Sequence, residues 1–479
     1  MLNNKFIHSS TDTITAISTP IGIGGIGVIR VSGPLVPIII PELLHKKNLI
    51  PRKAEYLPIF DTDGTILEQV IALFFPEPNS FTGENTLEIH GHSGLIILDI
   101  LLERILKTSP NIRIAQPGEF TKRAFINGKI DLVQAEAITD IINANSYQAA
   151  KSASNYLQGH FSQQIRAILN KLTELRIYIE SSIDFSEEVH VLSYDKTIKL
   201  LDNIIYDIKK MHQSACHNLI LREGLKIVIA GEPNVGKSSL FNALIGTERA
   251  IVNDASGTTR DILHECIQLN GILFHIIDTA GFQNNINNEV EKIGIQRAIK
   301  ELNNADHILW VINAYEDRQY SNKKYEDIFN NIRKKLLHKN QQIPITIIRN
   351  KSDLSKEKNK LYTIKNHTFI TLSALFNSGI DLLKNYLINN ITYKSYKDLP
   401  PGFINNQSNL ITRRRHLNIL EKSFKYLLSA KNQLISTQYV NEFFAEDIKL
   451  AHNELIKIFG KFTTEDLLKK IFSTFCIGK

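Results

Sequence analysis

Leu225-Lys226-Ile227-Val228-Ile229-Ala230-Gly231-Glu232-Pro233-Asn234-Val235-Gly236-Lys237-Ser238-Ser239-Leu240 is the stretch whose reading decides the fold. An apolar run of strand type leads into Gly231-x-x-x-x-Gly236-Lys237-Ser238. A helical pattern of Leu240, Phe241, Leu244 and Ile245 follows. A phosphate-binding loop needs strand, loop and helix in that order. The glycines let backbone N–H groups turn inward onto phosphate oxygens, and the helix adds the positive end of its dipole. Lys237 can reach the β- and γ-phosphates, and Ser238 can place its hydroxyl on Mg²⁺.

Four further motifs follow in the order a GTPase domain requires. Gly257-Thr258-Thr259-Arg260-Asp261 can supply a second hydroxyl to Mg²⁺. Asp278-Thr279-Ala280-Gly281 ends the apolar run Phe274 to Ile277; its Asp can hold Mg²⁺ through water, and the Gly281 amide can sense the γ-phosphate. Asn350-Lys351-Ser352-Asp353 follows Ile345 to Ile348, and Ser373-Ala374 follows Phe369 to Leu372. The Asn350 and Asp353 pair sets base choice. A carboxylate accepts from both N1–H and the 2-amino group of guanine, whereas adenine leaves it unpaired. A lost hydrogen bond to a charged group costs roughly 1.5–3 kcal/mol, so GTP is expected over ATP. Hydrolysis also needs a positioned water, and Phe282 occupies the place where Ras-type proteins carry a glutamine. The water positioner therefore comes from elsewhere, and no arginine finger is evident.

A chain of 479 residues exceeds one domain, and three are expected. Apolar residues make up 43% and charged residues 22%, which is ordinary globular usage, and the net charge of +7 only weakly favours a polyanionic partner. Cys216, Cys266 and Cys476 form neither a CxxC pair nor a metal-ligand spacing, so a reducing, cytoplasmic setting is expected. Pro34 to Leu44 and Gly94 to Leu106 are the most apolar stretches. Neither approaches the roughly 20 apolar residues a membrane helix needs.

Residues 1–127 read as α+β, with strands at Val28 to Val31, Val70 to Phe74 and Thr86 to His90 and a helix at Gly94 to Leu106. Gly22-Ile23-Gly24-Gly25-Ile26-Gly27 matches a dinucleotide fingerprint in spacing. It precedes a strand instead of following one, so a glycine turn feeding a sheet edge is expected. His90 and His92 share a face if their segment is a strand, and packing or pocket lining is favoured over a metal site. Residues 128–221 turn helical, with Ile198, Leu201, Ile205, Ile208, Met211 and Ala215 in one stripe. Residues 222–390 alternate strand and helix, the mark of a parallel doubly wound sheet. Residues 391–479 are helical again: Leu417, Leu420, Phe424 and Leu427 form one stripe, and Phe444, Ile448, Ala451, Leu455 and Ile458 another. Thr463 to Asp466 reads as a capping box. The expected architecture is multidomain α/β. A P-loop GTPase domain is inserted in a discontinuous helical domain, looped out at Arg222-Glu223-Gly224 and near Lys394 to Pro401, and an α+β domain precedes both.

Outside the GTPase motifs stand Pro78-Asn79-Ser80-Phe81-Thr82-Gly83-Glu84, Pro117-Gly118-Glu119-Phe120-Thr121-Lys122-Arg123-Ala124-Phe125, Leu132-Val133-Gln134-Ala135-Glu136-Ala137 and the terminal Phe475-Cys476-Ile477-Gly478-Lys479. On these the chain, from Thr19-Pro20 to its end, resembles the MnmE (TrmE) family of tRNA-modification GTPases. The resemblance implies a homodimer through the N-terminal domain and G domains that pair when GTP-bound. It also implies K⁺ in place of an arginine finger, held by Asn234, Asn253, Ala255 and Thr258, with Asn253 standing where threonine is the family residue. Ser238 and Thr259 would hold Mg²⁺, and Glu291 would position the water. Asn234-Val235-Gly236-Lys237-Ser238-Ser239, Asn253-Asp254-Ala255-Ser256-Gly257-Thr258-Thr259, Asp278 to Gly281, Asn350, Lys351, Asp353, Ser373 and Ala374 would line GTP. The N-terminal domain is similar to folate-binding domains, and Arg30, Glu88, Lys129 and Lys479 would hold 5-formyltetrahydrofolate as a one-carbon donor. Cys476 is a candidate thiol; no base lies in its motif, so ligand lining is favoured over covalent catalysis. The implied reaction adds a (carboxymethyl)aminomethyl group at carbon 5 of the tRNA wobble uridine. It would run with an FAD-carrying MnmG (GidA)-like partner in a heterotetramer. A regulatory GTPase bound to ribosomal RNA is the competing reading, but it would carry a GXXG-containing KH tail, and this tail is helical.

Overall fold

The computed structural model describes residues 12–20, 22–144, 146–184, 194–246, 264–270, 272–278, 299–316, 325–326, 329–330, 333, 343–364, 367–391, 411–437, 442–460 and 478. The chain divides into two compact units. Met1–Thr139, Asn155–Leu169 and His452–Lys479 form one; Asp140–Ser154 and Asn170–Ala451 form the other.

The first unit is built on a six-stranded sheet. Its strands are β1 (Thr13–Ile17), β2 (Gly24–Ser32), β3 (Glu55–Phe60), β4 (Ile66–Phe75), β5 (Thr86–Ser93) and β6 (Ile112–Ile114), in the order β3-β4-β5-β2-β1-β6. All neighbours are antiparallel except β1 and β6. Alternation along β5 sends Leu87 and Ile89 into the core and leaves Glu88 and His90 half-buried on the other face. Helices α1 (Val36–Leu44) and α2 (Leu95–Lys107) close the apolar face: Ile39, Leu43, Leu98 and Leu101 pack with Ile29, Val31, Val70 and Ala72. Helix α3 (Glu119–Ile126) covers part of the opposite face, where Phe120 meets Ile14 and Ala16. The glycine run departs from expectation. Gly24 pairs with Ser93 and Gly27 with Gly91, with a register shift between them, so all but Gly22 belong to β2 itself, which lies inside the sheet between β5 and β1.

Helices α4 (Leu132–Ile142), α5 (Tyr147–Leu157), α6 (His160–Asp184) and α7 (Tyr194–Glu223) follow. In the second unit a seven-stranded sheet takes the order β12-β13-β11-β10-β7-β9-β8. The strands are β7 (Leu225–Gly231), β8 (His264–Leu269), β9 (Ile272–Asp278), β10 (His307–Asn313), β11 (Ile345–Asn350), β12 (Lys360–Ile364) and β13 (His367–Thr371). The five central strands are parallel, and β8 and β12 add antiparallel edges. Both faces are buried, as a parallel sheet requires. Ile227, Ile229 and Ile348 pack on one side with Leu240 and Leu244 of α8 (Lys237–Ile245) and Leu383 of α10 (Ile380–Tyr386). Val228, Ile277 and Ile308 pack on the other. A four-residue helix, α9 (Ser352–Ser355), lies between β11 and β12. Helix α7 lies against α11 (Ile411–Thr437) through the expected stripes, with Leu201, Ile208, Leu417, Leu420 and Leu427 fully buried. Phe424 is only half-buried, and Ser423 takes the inner place beside it, donating to the Ala451 carbonyl at 3.2 Å. Phe444, Ile448, Ala451 and Leu455 form the buried stripe of α12 (Glu442–Ile456). The capping box at Thr463 lies outside the described residues. Among the described residues no helix is long and apolar enough to cross a membrane.

Candidate active site

Strand β7 delivers the phosphate loop, and two glycines fix its path. Gly231 has φ +152°, and an added Cβ would stand 2.3 Å from the Val311 carbonyl of the adjacent β10. Gly236 has φ +90° and opens α8; a Cβ there would stand 2.4 Å from Asn350 Nδ2. Any side chain at either position collides with a part the site needs. Lys237 is buried, and its Nζ donates to the Glu232 carbonyl at 2.7 Å across the loop. Burial pulls its ammonium below the usual lysine range, and Asp278 opposes that shift. Ser238 Oγ donates to Asp278 Oδ2 at 3.1 Å. With its proton given to Asp278, the Ser238 hydroxyl keeps oxygen lone pairs for a hard cation, and the carboxylate stands where it can accept from a cation-bound water. The residues present therefore fit Mg²⁺. Among the described residues no group of three or more His, Cys, Asp or Glu side chains is arranged to hold a metal ion by itself.

The base side is knitted to the phosphate side. Asn350 is 1% exposed. Its Nδ2 donates to the Val235 carbonyl at 3.0 Å and lies 3.4 Å from that of Gly236, and its Oδ1 accepts from the Ala374 N–H at 3.0 Å. Lys351, in the left-handed region at φ 65°, donates from Nζ to the Asn234 carbonyl at 2.7 Å. Asp353 Oδ1 accepts from Ser373 Oγ at 2.5 Å. Mutual backbone bonds of 2.8 and 3.0 Å between Ser373 and Ser378 close that turn. The Asn350 amide thus braces the loop at Val235 and the turn at Ala374, beside the Asp353 carboxylate held by Ser373. The sequence carried no signal for Glu232, whose backbone oxygen anchors Lys237. Asn253, Asp254, Ala255, Ser256, Gly257, Thr258, Thr259, Thr279, Ala280, Gly281 and Glu291 lie outside the described residues, as do Cys476 and Lys479.

On the half-exposed face of the first unit, Arg30 and Glu88 are direct cross-strand partners. Arg30 Nε and Nη2 both reach Glu88 Oε1, at 2.9 and 2.8 Å. The guanidinium lies 5.8 Å from the Phe81 ring and 5.7 Å from that of Phe120. Lys129 donates to the Pro78 carbonyl at 2.9 Å, so it holds the start of the loop that carries Phe81. His92 Nδ1 pairs with the buried carboxylate of Glu68. Behind this face, Arg123 bonds Glu84, Asp12 and Glu119, while Arg113 holds Glu119 from the surface. Gly478 comes back from the far end of the chain: Ser18 Oγ donates to its carbonyl at 3.1 Å, and a Cβ on it would stand 2.3 Å from the Ile17 carbonyl. Ile17 follows Ala16, the β1 partner of Arg30.

Comparison with known proteins agrees with this geometry. The family profile of the GTP-binding protein TrmE N-terminus matches residues 13–129, and that of the MnmE helical domain matches residues 132–476. The chain is 65% identical to the tRNA modification GTPase MnmE of Blochmanniella pennsylvanica (strain BPEN) over 474 residues, which is 99% of this chain and all of that protein. It is 58% identical to the protein of that name from Blochmanniella floridana, over 98% of this chain and all of that one. The figure is 46% for that of Pectobacterium carotovorum subsp. carotovorum (strain PC1), with the same coverage. With a guanine-nucleotide site braced as described and relatives that match from end to end, the chain is a GTP hydrolase and belongs to the MnmE family of tRNA modification GTPases.

Proposed function

We propose that this GTPase adds a (carboxymethyl)aminomethyl group at carbon 5 of the wobble uridine of certain tRNAs, together with an FAD-dependent, MnmG-like partner in a heterotetramer. The observation that carries the reading is the seating of Gly478 against Ile17 and Ser18, beside the strand pair that holds Arg30. Gly478 belongs to the terminal Cys-Ile-Gly-Lys motif, and its place beside β1 supports assigning Arg30, Glu88, Lys129 and Lys479 to 5-formyltetrahydrofolate. The donor set suits that molecule: a carboxylate can accept from pterin N–H groups, and cationic groups can pair with glutamate carboxylates. When bound, the folate supplies the one-carbon unit. Cys476 is assigned to the lining of the same site. The domain limits we propose are 1–127, 128–221, 222–390 and 391–479, in a cytoplasmic homodimer.

In the G domain, backbone amides from Asn234 to Ser239 cradle the phosphates and Lys237 neutralises charge that builds on the transferred group. Ser238 and Thr259 would hold Mg²⁺, which would supply positive charge against the phosphate oxygens. Asn234, at φ 61° and tied down by Lys351, is the described member of the K⁺ set with Asn253, Ala255 and Thr258. Glu291 orients the attacking water. Hydrolysis is expected to run about 10³-fold faster in K⁺ than in Na⁺, by analogy with the charge an arginine finger supplies; equal rates in the two salts overturn the cation assignment. Glu291→Ala is expected to bind GTP and lose its hydrolysis. The decisive experiment is mass spectrometry of tRNA nucleosides from cells with and without the protein. Loss of the 5-substituted wobble uridines on deletion supports the proposal. Their persistence, with GTPase activity intact, refutes it and favours the ribosomal reading.

A further inference from the structure

We propose that His90 is a positioning residue of the N-terminal site: it holds the plane of the Glu88 carboxylate so that Oε2 is presented to an N–H donor on the edge of a pterin ring. The inference rests on the folate reading above and names the atom that would do the recognising.

The argument starts from lone pairs. A carboxylate oxygen offers two acceptor sites. Arg30 Nε donates to one oxygen of Glu88, Oε1, at 2.9 Å, and Nη2 lies 2.8 Å from the same oxygen. The guanidinium thus sits on Oε1. The other, Oε2, is met by His90 Nε2 at 3.4 Å, too long for a strong bond, so Oε2 keeps acceptor capacity. The sheet explains the arrangement. Glu88 stands opposite Arg30 on β2 and Leu73 on β4, and His90 stands opposite Val28 and Ile71 in the next outward-facing row. One strand thus places the histidine against the oxygen that Arg30 leaves open. All three side chains are screened without being sealed: Arg30 is 20%, Glu88 19% and His90 28% exposed. A planar ligand can reach them, and the rings of Phe81 and Phe120 already flank the guanidinium. A carboxylate pinned at one oxygen still swings the other; an imidazole beside Oε2 limits that swing before the ligand arrives, which lowers the cost of binding.

The test is equilibrium dialysis of the full-length protein against 5-formyltetrahydrofolate, with a thermal melt of each variant as the fold check. His90→Leu is expected to weaken binding about tenfold, the low end of the worth of one hydrogen bond to a charged group. His90→Gln is expected to restore affinity to within about threefold, because its amide nitrogen reaches as far as imidazole Nε2 and can donate to Oε2. His90→Asn stops short and is expected to stay as weak as leucine, and it serves in its place if His90→Leu does not fold. The positioning role is overturned if His90→Leu or His90→Asn binds like wild type, or if His90→Gln is as weak as they are. The folate reading itself fails, and this inference with it, if the wild-type protein does not bind the compound. Wild-type binding that Arg30→Ala abolishes keeps the reading, whatever the His90 variants show.

Discussion

Replacing His307 with leucine should remove a large part of the acid sensitivity of the G-domain sheet. His307 opens β10 with 2% exposure. Its Nε2 lies 2.8 Å from Thr346 Oγ1, and that hydroxyl donates onward to the Tyr386 hydroxyl at 3.0 Å. The threonine proton is therefore engaged, the imidazole carries its own proton on Nε2, and Nδ1 is buried with no partner. A second proton would sit on Nδ1 with nothing to accept it. Burial accordingly pushes the group down to about 3, from an ordinary 6.5. The sign follows from linkage. Above pH 6.5 both folded and unfolded chains are neutral at this site, and His307 contributes no pH dependence. Below it the unfolded chain takes up a proton that the folded chain refuses, so stability falls by about 1.4 kcal/mol per pH unit until pH 3. Between pH 7 and 5 that is about 2 kcal/mol from one residue. The single tryptophan, Trp310, lies on the same strand and reports on this sheet. Urea unfolding followed by its fluorescence at the two pH values measures the effect, and every group common to both proteins cancels in the difference. His307→Leu loses a hydrogen bond worth about 1 kcal/mol at pH 7 but should show a pH-dependent loss smaller than wild type by about 2 kcal/mol. Equal losses in the two proteins would refute the reasoning.

Asn350→Ala should weaken GTP binding by at least about 2 kcal/mol, because it frees the Val235 carbonyl and the Ala374 N–H together; titration with a fluorescent GTP analogue measures this, and unchanged affinity would show that the brace is idle. Asp353→Asn should lose about 1.5–3 kcal/mol of guanine preference, read as the ratio of GTP to inosine triphosphate affinity. Glu119 is desolvated, which on its own would raise its carboxyl. The bonds from Arg113 and the Gln116 N–H and the charge of Arg123 outweigh that and hold it at about 2. Its folded value is depressed, so its contribution is present above pH 4.5 and is lost as pH falls from there to 2, about 3 kcal/mol in all. Glu119→Gln should show a flatter acid melt of the N-terminal domain by circular dichroism.

The phosphate loop was legible because its constraint is local. Gly231 and Gly236 take backbone angles that other residues avoid, and the lysine and serine follow in sequence. The amphipathic stripes of α7, α11 and α12 were legible for the same reason, since periodicity alone places them. The β8–β9 hairpin was within reach too: Asn270-Gly271 between two apolar runs is a turn signal, and Leu269 pairs with Ile272 across it with Asn270 at φ 48°. The bracing role of Asn350 was not legible. It depends on partners 115 and 24 residues away, and only the parallel stacking of β7, β10, β11 and β13 brings them within reach. The Arg30 and Glu88 pair is similar: only the family resemblance placed the two in one site, because 58 residues separate them and it takes antiparallel register to set them face to face. The glycine run misled because glycines read as a turn, whereas here they continue a ladder.

The junction between sheet and helix gives the GTPase cycle a mechanical route within the second unit. Helix α7 does not stop short of the G domain: it runs to Glu223, and β7, the strand that carries the phosphate loop, begins at Leu225. Only Gly224 stands between them, at φ +69°, where a Cβ would lie 2.5 Å from the Leu273 carbonyl of β9. A longer linker would absorb motion at this point; a one-residue joint beside β9 offers few torsions to do so. Asp306 fastens the same corner. Its Oδ2 accepts from the Lys226 N–H at 2.8 Å, and its own N–H donates to the Lys226 carbonyl at 2.9 Å. Burial raises its carboxyl, while the Lys226 contacts and the charge of Arg414, on α11, pull it back. Strand β7 is thus bound at its root to β9, to β10 and to the field of the second long helix. The expectation is that a shift of the phosphate loop on GTP hydrolysis moves this 30-residue helix with it. Replacing Gly224 with a Gly-Ser-Gly-Ser insert tests this: GTP hydrolysis should persist while modification of tRNA falls, and equal retention of both would show that the joint carries no signal.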